Sequence, residues 1–243
     1  MTVSTPSRCP IDHSQFGKPT GQSGPTGCPI SHGAAGFDPF ADGYQQDPPE
    51  YVRWSREQEP VFFSPQLGYW VVTRYDDIKA VFRDHETFSA SIALEKITPT
   101  GDKANAVLAS YDYAMNRTLV NEEEPAHMAR RRVLIQPFTP EALVEHEPMV
   151  RRVAREYVDR FINDGKADLV DQMLWEAPLT IGLHFLGVPE EDMAQLRQYS
   201  IAHTVNTWGR PKPEEQVAVA HAVGNFWQLS GKILEKMRQN PDE

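Results

Sequence analysis

The chain has 243 residues, 40% hydrophobic and 24% charged, ordinary values for a soluble globular protein and enough to bury a core as one domain or a domain with a tail. Its formal net charge of -10 works against non-specific nucleic-acid binding, which needs Lys and Arg against phosphates, and against a peripheral site on anionic lipid. The longest largely apolar stretch, Leu179 to Val188, contains Thr180 and His184 and falls far short of the ~20 residues of a membrane span. Met1 to Arg8 lacks the apolar core of a secretory signal, and two cysteines make no disulfide framework, so a cytoplasmic location is expected.

Residues 1–47 are rich in Gly, Pro, Ser and Thr without an apolar period, and read as a flexible leader, with folded structure from Pro48 onward. The leader holds a small repeat, Cys9-Pro10-Ile11-Asp12-His13 and Cys28-Pro29-Ile30-Ser31-His32. Its residue types suit a zinc site or haem sensing, but a plain flexible tail is the simpler reading, because a metal loop needs an ordering scaffold. Pro60 to Tyr75 reads as a β-hairpin, with strand-forming Val61 to Phe63 and Tyr69 to Val72 around turn residues Pro65 to Gly68. A short helix over Asp76 to Arg83 follows. Residues 88–120 read as a long loop with at most a helical turn, the kind of segment that is often functional.

From Pro125 the pattern is helical. One helix spans His127 to Gln136, and the next starts at Thr139-Pro140-Glu141, a cap residue followed by proline at the first helical position. Val150, Val153, Ala154, Tyr157, Val158 and Phe161 recur at three and four, with charged residues on the other face, and Asn163-Asp164-Gly165 ends that helix. Ala177 to Leu186 is apolar on nearly every side, which predicts a helix buried within a larger protein. Two more helices are expected, one running to Trp208 and one from Glu214 to Gln239.

His127 and Arg131 lie four apart, on one helix face, just after the acids Glu122 to Glu124. The pair suits two carboxylates or a phosphate; spacing alone leaves a solvated basic face as the simpler alternative. His184 and most of the tryptophans read as packing residues, and no Gly-rich phosphate loop or nucleophile elbow is present.

The stretch Glu123-Glu124-Pro125-Ala126-His127-Met128-Ala129-Arg130-Arg131, continuing to Gln136-Pro137-Phe138-Thr139, resembles a helix of the cytochrome P450 family, although the family's usual Asp-Pro-Pro stands here as Glu123-Glu124-Pro125. Gly68 to Ile78, Phe88-Ser89-Ala90 and Phe185-Leu186-Gly187-Val188-Pro189 extend the resemblance, in order, from about Pro48 to Glu243. It implies a mainly α fold, the N-terminal part of the cytochrome P450 fold with a small β-hairpin near its start. It implies haem b as cofactor, with His127 and Arg131 on its propionates, and oxidation of an apolar organic substrate by O2 with electrons from NAD(P)H through a redox partner. The leader and the wording around Glu124 to Pro140 resemble the self-sufficient bacterial subclass, whose fused reductase carries FMN and a 2Fe-2S cluster. No nucleic acid and no membrane enter this picture. Ile92, Leu94, Ile97, Ile201 and Val205 are the expected substrate-lining residues. No residue is assigned a catalytic or metal-ligating role, because the family's cysteine-ligand loop finds no match and the only cysteines are Cys9 and Cys28. The chain alone is therefore expected to be inactive; a non-catalytic hydrophobic binding fragment is the alternative.

Overall fold

Apolar residues spaced at three and four, broken by Pro and Gly, give this chain a series of helices with two short β-ladders. The computed structural model describes residues 19–23, 25, 27, 29–115 and 118–240. They fall into two units, residues 1–89 and 90–243. No helix among the described residues is long and apolar enough to cross a membrane.

In the first unit, β1 (Pro19–Ser23) pairs antiparallel with β2 (Pro29–Ser31). Four short helices follow, α1 (His32–Gly36), α2 (Asp42–Gln46), α3 (Pro48–Tyr51) and α4 (Arg53–Gln58). The expected hairpin is present as β3 (Val61–Ser64) and β4 (Tyr69–Val72), in register from Val61 opposite Val72 to Ser64 opposite Tyr69. Gly68 closes its turn at φ +73°, a conformation that suits glycine. α5 (Tyr75–Arg83) completes the unit where a helix was expected.

The leader boundary at Pro48 is corrected. Ile30, Ala34 and Phe37 are buried together with Phe62, and the Phe37 and Phe62 rings meet edge-on at 5.2 Å. Ser31 caps α1 by accepting the Ala34 N–H at 3.1 Å and donates to the carboxylate of the buried Glu59. A few well-spaced apolar residues among Gly and Pro show no period, yet they suffice once strand β3 supplies the opposing face. Cys9 and Cys28, and with them the repeat's possible zinc or haem role, lie outside the described residues.

Among its described residues the second unit is built of helices joined by loops. It contains α6 (Asp102–Ser110), α7 (Ala126–Leu134), α8 (Pro140–Val144), α9 (Glu147–Asp159), α10 (Ala177–Phe185), α11 (Glu190–Trp208) and α12 (Pro213–Gln239). α6 is a full helix where at most a turn was expected: Ala104 and Leu108 are buried against Ala202 of α11 and with Ala220 and Val223 of α12. Small residues give α6 little amphipathic signal, and its stability comes from packing. The helix expected from Thr139 is two helices. Thr139 caps α8, accepting from the Ala142 N–H at 3.3 Å, and a break at residues 145–146 precedes α9, whose Pro148 has no N–H to continue the ladder. On α10 only Ala177 and Leu183 are buried, so its other apolar side chains stay partly open. Leu183, Met193, Leu196 and Ile233 form a second cluster linking α10, α11 and α12, and Val153, Tyr157 and Ala177 a third.

Candidate functional site

α7 carries His127 and Arg131 one turn apart. It begins after the cis Glu124-Pro125 peptide. No side chain of its N-cap, Pro125, can accept from the helix start, and Glu124 takes that role: its Oε2 accepts the Met128 N–H at 3.2 Å and its Oε1 lies 3.0 Å from His127 Nδ1. His127 is half-buried, and Glu124 thereby fixes its ring. Glu122, which is buried, pairs with the neighbouring Arg130 at 2.8 Å, so that guanidinium is committed elsewhere. The Arg131 guanidinium is exposed and, among the described residues, has no carboxylate partner. A planar fork of donors next to an imidazole suits the carboxylates of a haem edge. The residues present thus fit the propionate end of a haem; the two cysteines, the only thiolates the sequence offers, lie outside the described residues.

The five expected substrate residues are not gathered into one cavity. Leu94 lines a cleft of about 480 Å³ with Lys96, Leu108, Tyr113 and Met115. Ile201 lines a separate one of about 520 Å³ beside Trp175, Leu179 and Arg197. Ile92 is exposed, and Ile97 and Val205 are half-buried. The two segments that carry them are nonetheless tied together. The Ile97 N–H donates to the Thr207 carbonyl at 3.0 Å, Thr98 Oγ1 to the Gly209 carbonyl at 2.9 Å, and Trp208 Nε1 to the Ala93 carbonyl at 3.3 Å.

Sequence reading missed Lys96, Asn206 and Tyr113. The Lys96 ammonium donates to Thr100 Oγ1 at 2.6 Å and to Asn206 Oδ1 at 3.1 Å. It thereby turns the buried Asn206 amide so that Nδ2 has no partner among the described residues. Burial pushes the Lys96 pKa down and the Tyr113 pKa up from their ordinary values. The one sequence signal was a lone lysine among Ile92, Leu94 and Ile97.

A scan against protein-family models finds no match. Solved structures do match. An intact type IV self-sufficient cytochrome P450 monooxygenase is 70% identical, with a TM-score of 0.84 over 96% of this chain and 30% of its own. The haem domain of a Tepidiphilus thermophilus P450 is 58% identical, with a TM-score of 0.78 over 86% of this chain and 50% of its own. Among curated relatives, the epothilone C/D epoxidase of Sorangium cellulosum is 30% identical over 213 residues, 85% of this chain and 49% of the relative. The chain spans less than half the length of this relative, and 38% of the putative P450 of Mycobacterium tuberculosis that it also matches at 27% identity. A helical fold with two short β-ladders, a His-Arg pair on α7 and these matches agree: the chain belongs to the cytochrome P450 family and is similar to its self-sufficient type.

Proposed function

We propose that this chain forms the part of a haem-thiolate monooxygenase that holds the haem propionates and one side of the substrate pocket. The observation that carries the reading is the placement of His127 and Arg131 one turn apart on α7, with the Arg131 guanidinium uncommitted to any described carboxylate. Haem b, when bound, would supply the activation of O2. The chain's own residues bind and orient: Arg131 offers a fork of N–H donors to one propionate, His127 contributes its imidazole, and Glu124 keeps that ring in place.

In this reading the substrate is an apolar organic molecule met along the two tied segments that carry Ile92, Leu94 and Ile97 on one side and Ile201 and Val205 on the other, although these five do not share one cavity, and the electrons come from NAD(P)H. Similarity to a self-sufficient monooxygenase supports a fused reductase carrying FMN and a 2Fe-2S cluster over a separate redox partner. A cytoplasmic location fits the sequence. By itself the chain turns over no substrate, because no stretch of its sequence matches the family's cysteine-ligand loop.

The test is expression of the complete native reading frame that contains these residues. Reconstitution with haem should give the thiolate signature in the reduced carbon-monoxide spectrum and NAD(P)H-driven oxidation of an apolar probe. The isolated 243 residues should give neither. A complete product that retains no haem would leave a non-catalytic hydrophobic binding protein as the better reading.

A further inference from the structure

We infer that the cleft between Leu94 and Tyr113 binds an apolar molecule carrying a single carboxylate, with the Lys96 ammonium and the Tyr113 hydroxyl as its polar anchors. Calling that molecule the substrate rests on the proposed function; the binding does not.

Leu94, Leu108, Ala109 and Met115 form an apolar wall beside the polar Ser91, Glu95, Asn105 and Asn121, and the volume of about 480 Å³ falls within the range of small-molecule sites. Two further polar groups in this lining, Lys96 and Tyr113, have unused hydrogen-bonding capacity. An ammonium has three N–H donors, and Lys96 spends two of them, on Thr100 and Asn206, both neutral acceptors. No carboxylate pairs with it among the described residues, and Glu95, the one acid lining the cleft, forms no ion pair with it. A half-buried cation without a counter-charge is costly, and a ligand carboxylate removes that cost. The Tyr113 hydroxyl likewise has no hydrogen-bond partner among the described residues, while its ring is held edge-on against Trp227 at 5.6 Å. Burial keeps the phenol protonated and so able to donate. An amine would be repelled by Lys96, and a wholly apolar molecule would leave both anchors unmet.

The experiment titrates the 243-residue chain with para-butylbenzoate and with para-butylbenzyl alcohol by calorimetry. The acid should bind saturably and roughly tenfold or more tighter than the alcohol, the usual worth of one charge-assisted hydrogen bond. Lys96→Met should abolish that preference and leave the alcohol's affinity unchanged. Tyr113→Phe should reduce the preference severalfold, and Lys103→Met, on the exposed face of α6, should not alter it. Equal affinity of the wild-type chain for acid and alcohol, no saturable acid binding, or a Lys96→Met variant that weakens both ligands alike would overturn the inference. If Lys96→Met does not fold, the wild-type preference and its response to Tyr113→Phe decide. Neither haem nor turnover enters this titration, so its failure is distinguishable from failure of the monooxygenase reading.

Discussion

Glu124 and His127 are joined across the first turn of α7, with Oε1 of the acid 3.0 Å from Nδ1 of the imidazole while Oε2 accepts the Met128 N–H. One carboxylate thus caps the helix and orients the ring that precedes Arg131 by one turn. The same acid belongs to the turn that departs from the family's usual Asp-Pro-Pro, so the departure leaves the geometry of the pair in place.

From that geometry, His127→Ala and Arg131→Ala should each weaken haem retention by the complete protein, on the order of 1.5–3 kcal/mol per lost charge-assisted bond. Transfer of haem to apomyoglobin, followed by absorbance, measures the loss. Arg131→Lys should recover only part of it, because an ammonium cannot reproduce the bidentate fork. Unchanged transfer rates in both alanine variants would reduce the pair to surface charge.

His203 of α11 lies among the rings of Tyr113, at 6.0 Å, and Phe226, at 5.2 Å. Burial lowers its pKa from the ordinary 6.5. The unfolded chain therefore takes up a proton at a higher pH than the folded one. This contribution to stability is full above pH 6.5 and declines as the pH falls from there toward the lowered folded value. Urea denaturation midpoints taken across that window should fall with acidification in the wild type and fall less in His203→Phe. Identical pH slopes in the two proteins would remove His203 from the account.

Gly224 of α12 stands where a Cβ would come within 2.3 Å of the Tyr111 ring, whose hydroxyl is 3.1 Å from His221 Nδ1. Alanine would favour the helix by about 1 kcal/mol. The overlap reaches the ring atom nearest the Tyr111 backbone, so the ring must leave its place, a cost of about 1–3 kcal/mol. Gly224→Ala should lower stability on balance, and adding Tyr111→Ala should turn the glycine change neutral or favourable. A stabilising single Gly224→Ala variant would contradict the packing described.

What could be read from the sequence follows the length scale of each signal. The hairpin around Gly68 and the amphipathic α9 announce themselves within a dozen residues, through alternation and three-four spacing. The His127-Arg131 pair is also local, set by one helical turn. Lys96 and Asn206 are 110 residues apart, and nothing in either neighbourhood marks the other. The same holds for Ile30, Ala34 and Phe37, which acquire meaning only against Phe62. The break between α8 and α9 was readable in principle from Pro148, but the strong apolar period on either side masked it.

The apolar face of α10 leads to the remaining prediction. Between α8, α9 and α10 lies a groove of about 570 Å³, walled by Phe138, Leu143, Val150, Ile181, Phe185 and Leu186. Phe138 is 55% exposed and Leu186 65%, although the Phe138 and Phe185 rings already pack at 4.7 Å with their planes tilted by 40°. Contiguous apolar surface of this kind binds hydrophobic probes and promotes association. The isolated chain should enhance the fluorescence of an anilinonaphthalene sulfonate dye under native conditions and should self-associate as its concentration rises. Leu186→Glu places a charge in the groove at a position already open to water, so it should cut dye binding while the chain stays folded. Leu234→Glu, also open to water on α12 but outside the groove, serves as the control and should leave the signal intact. A wild-type chain that melts cooperatively as a dye-silent monomer would show that the groove is not available to apolar molecules in solution.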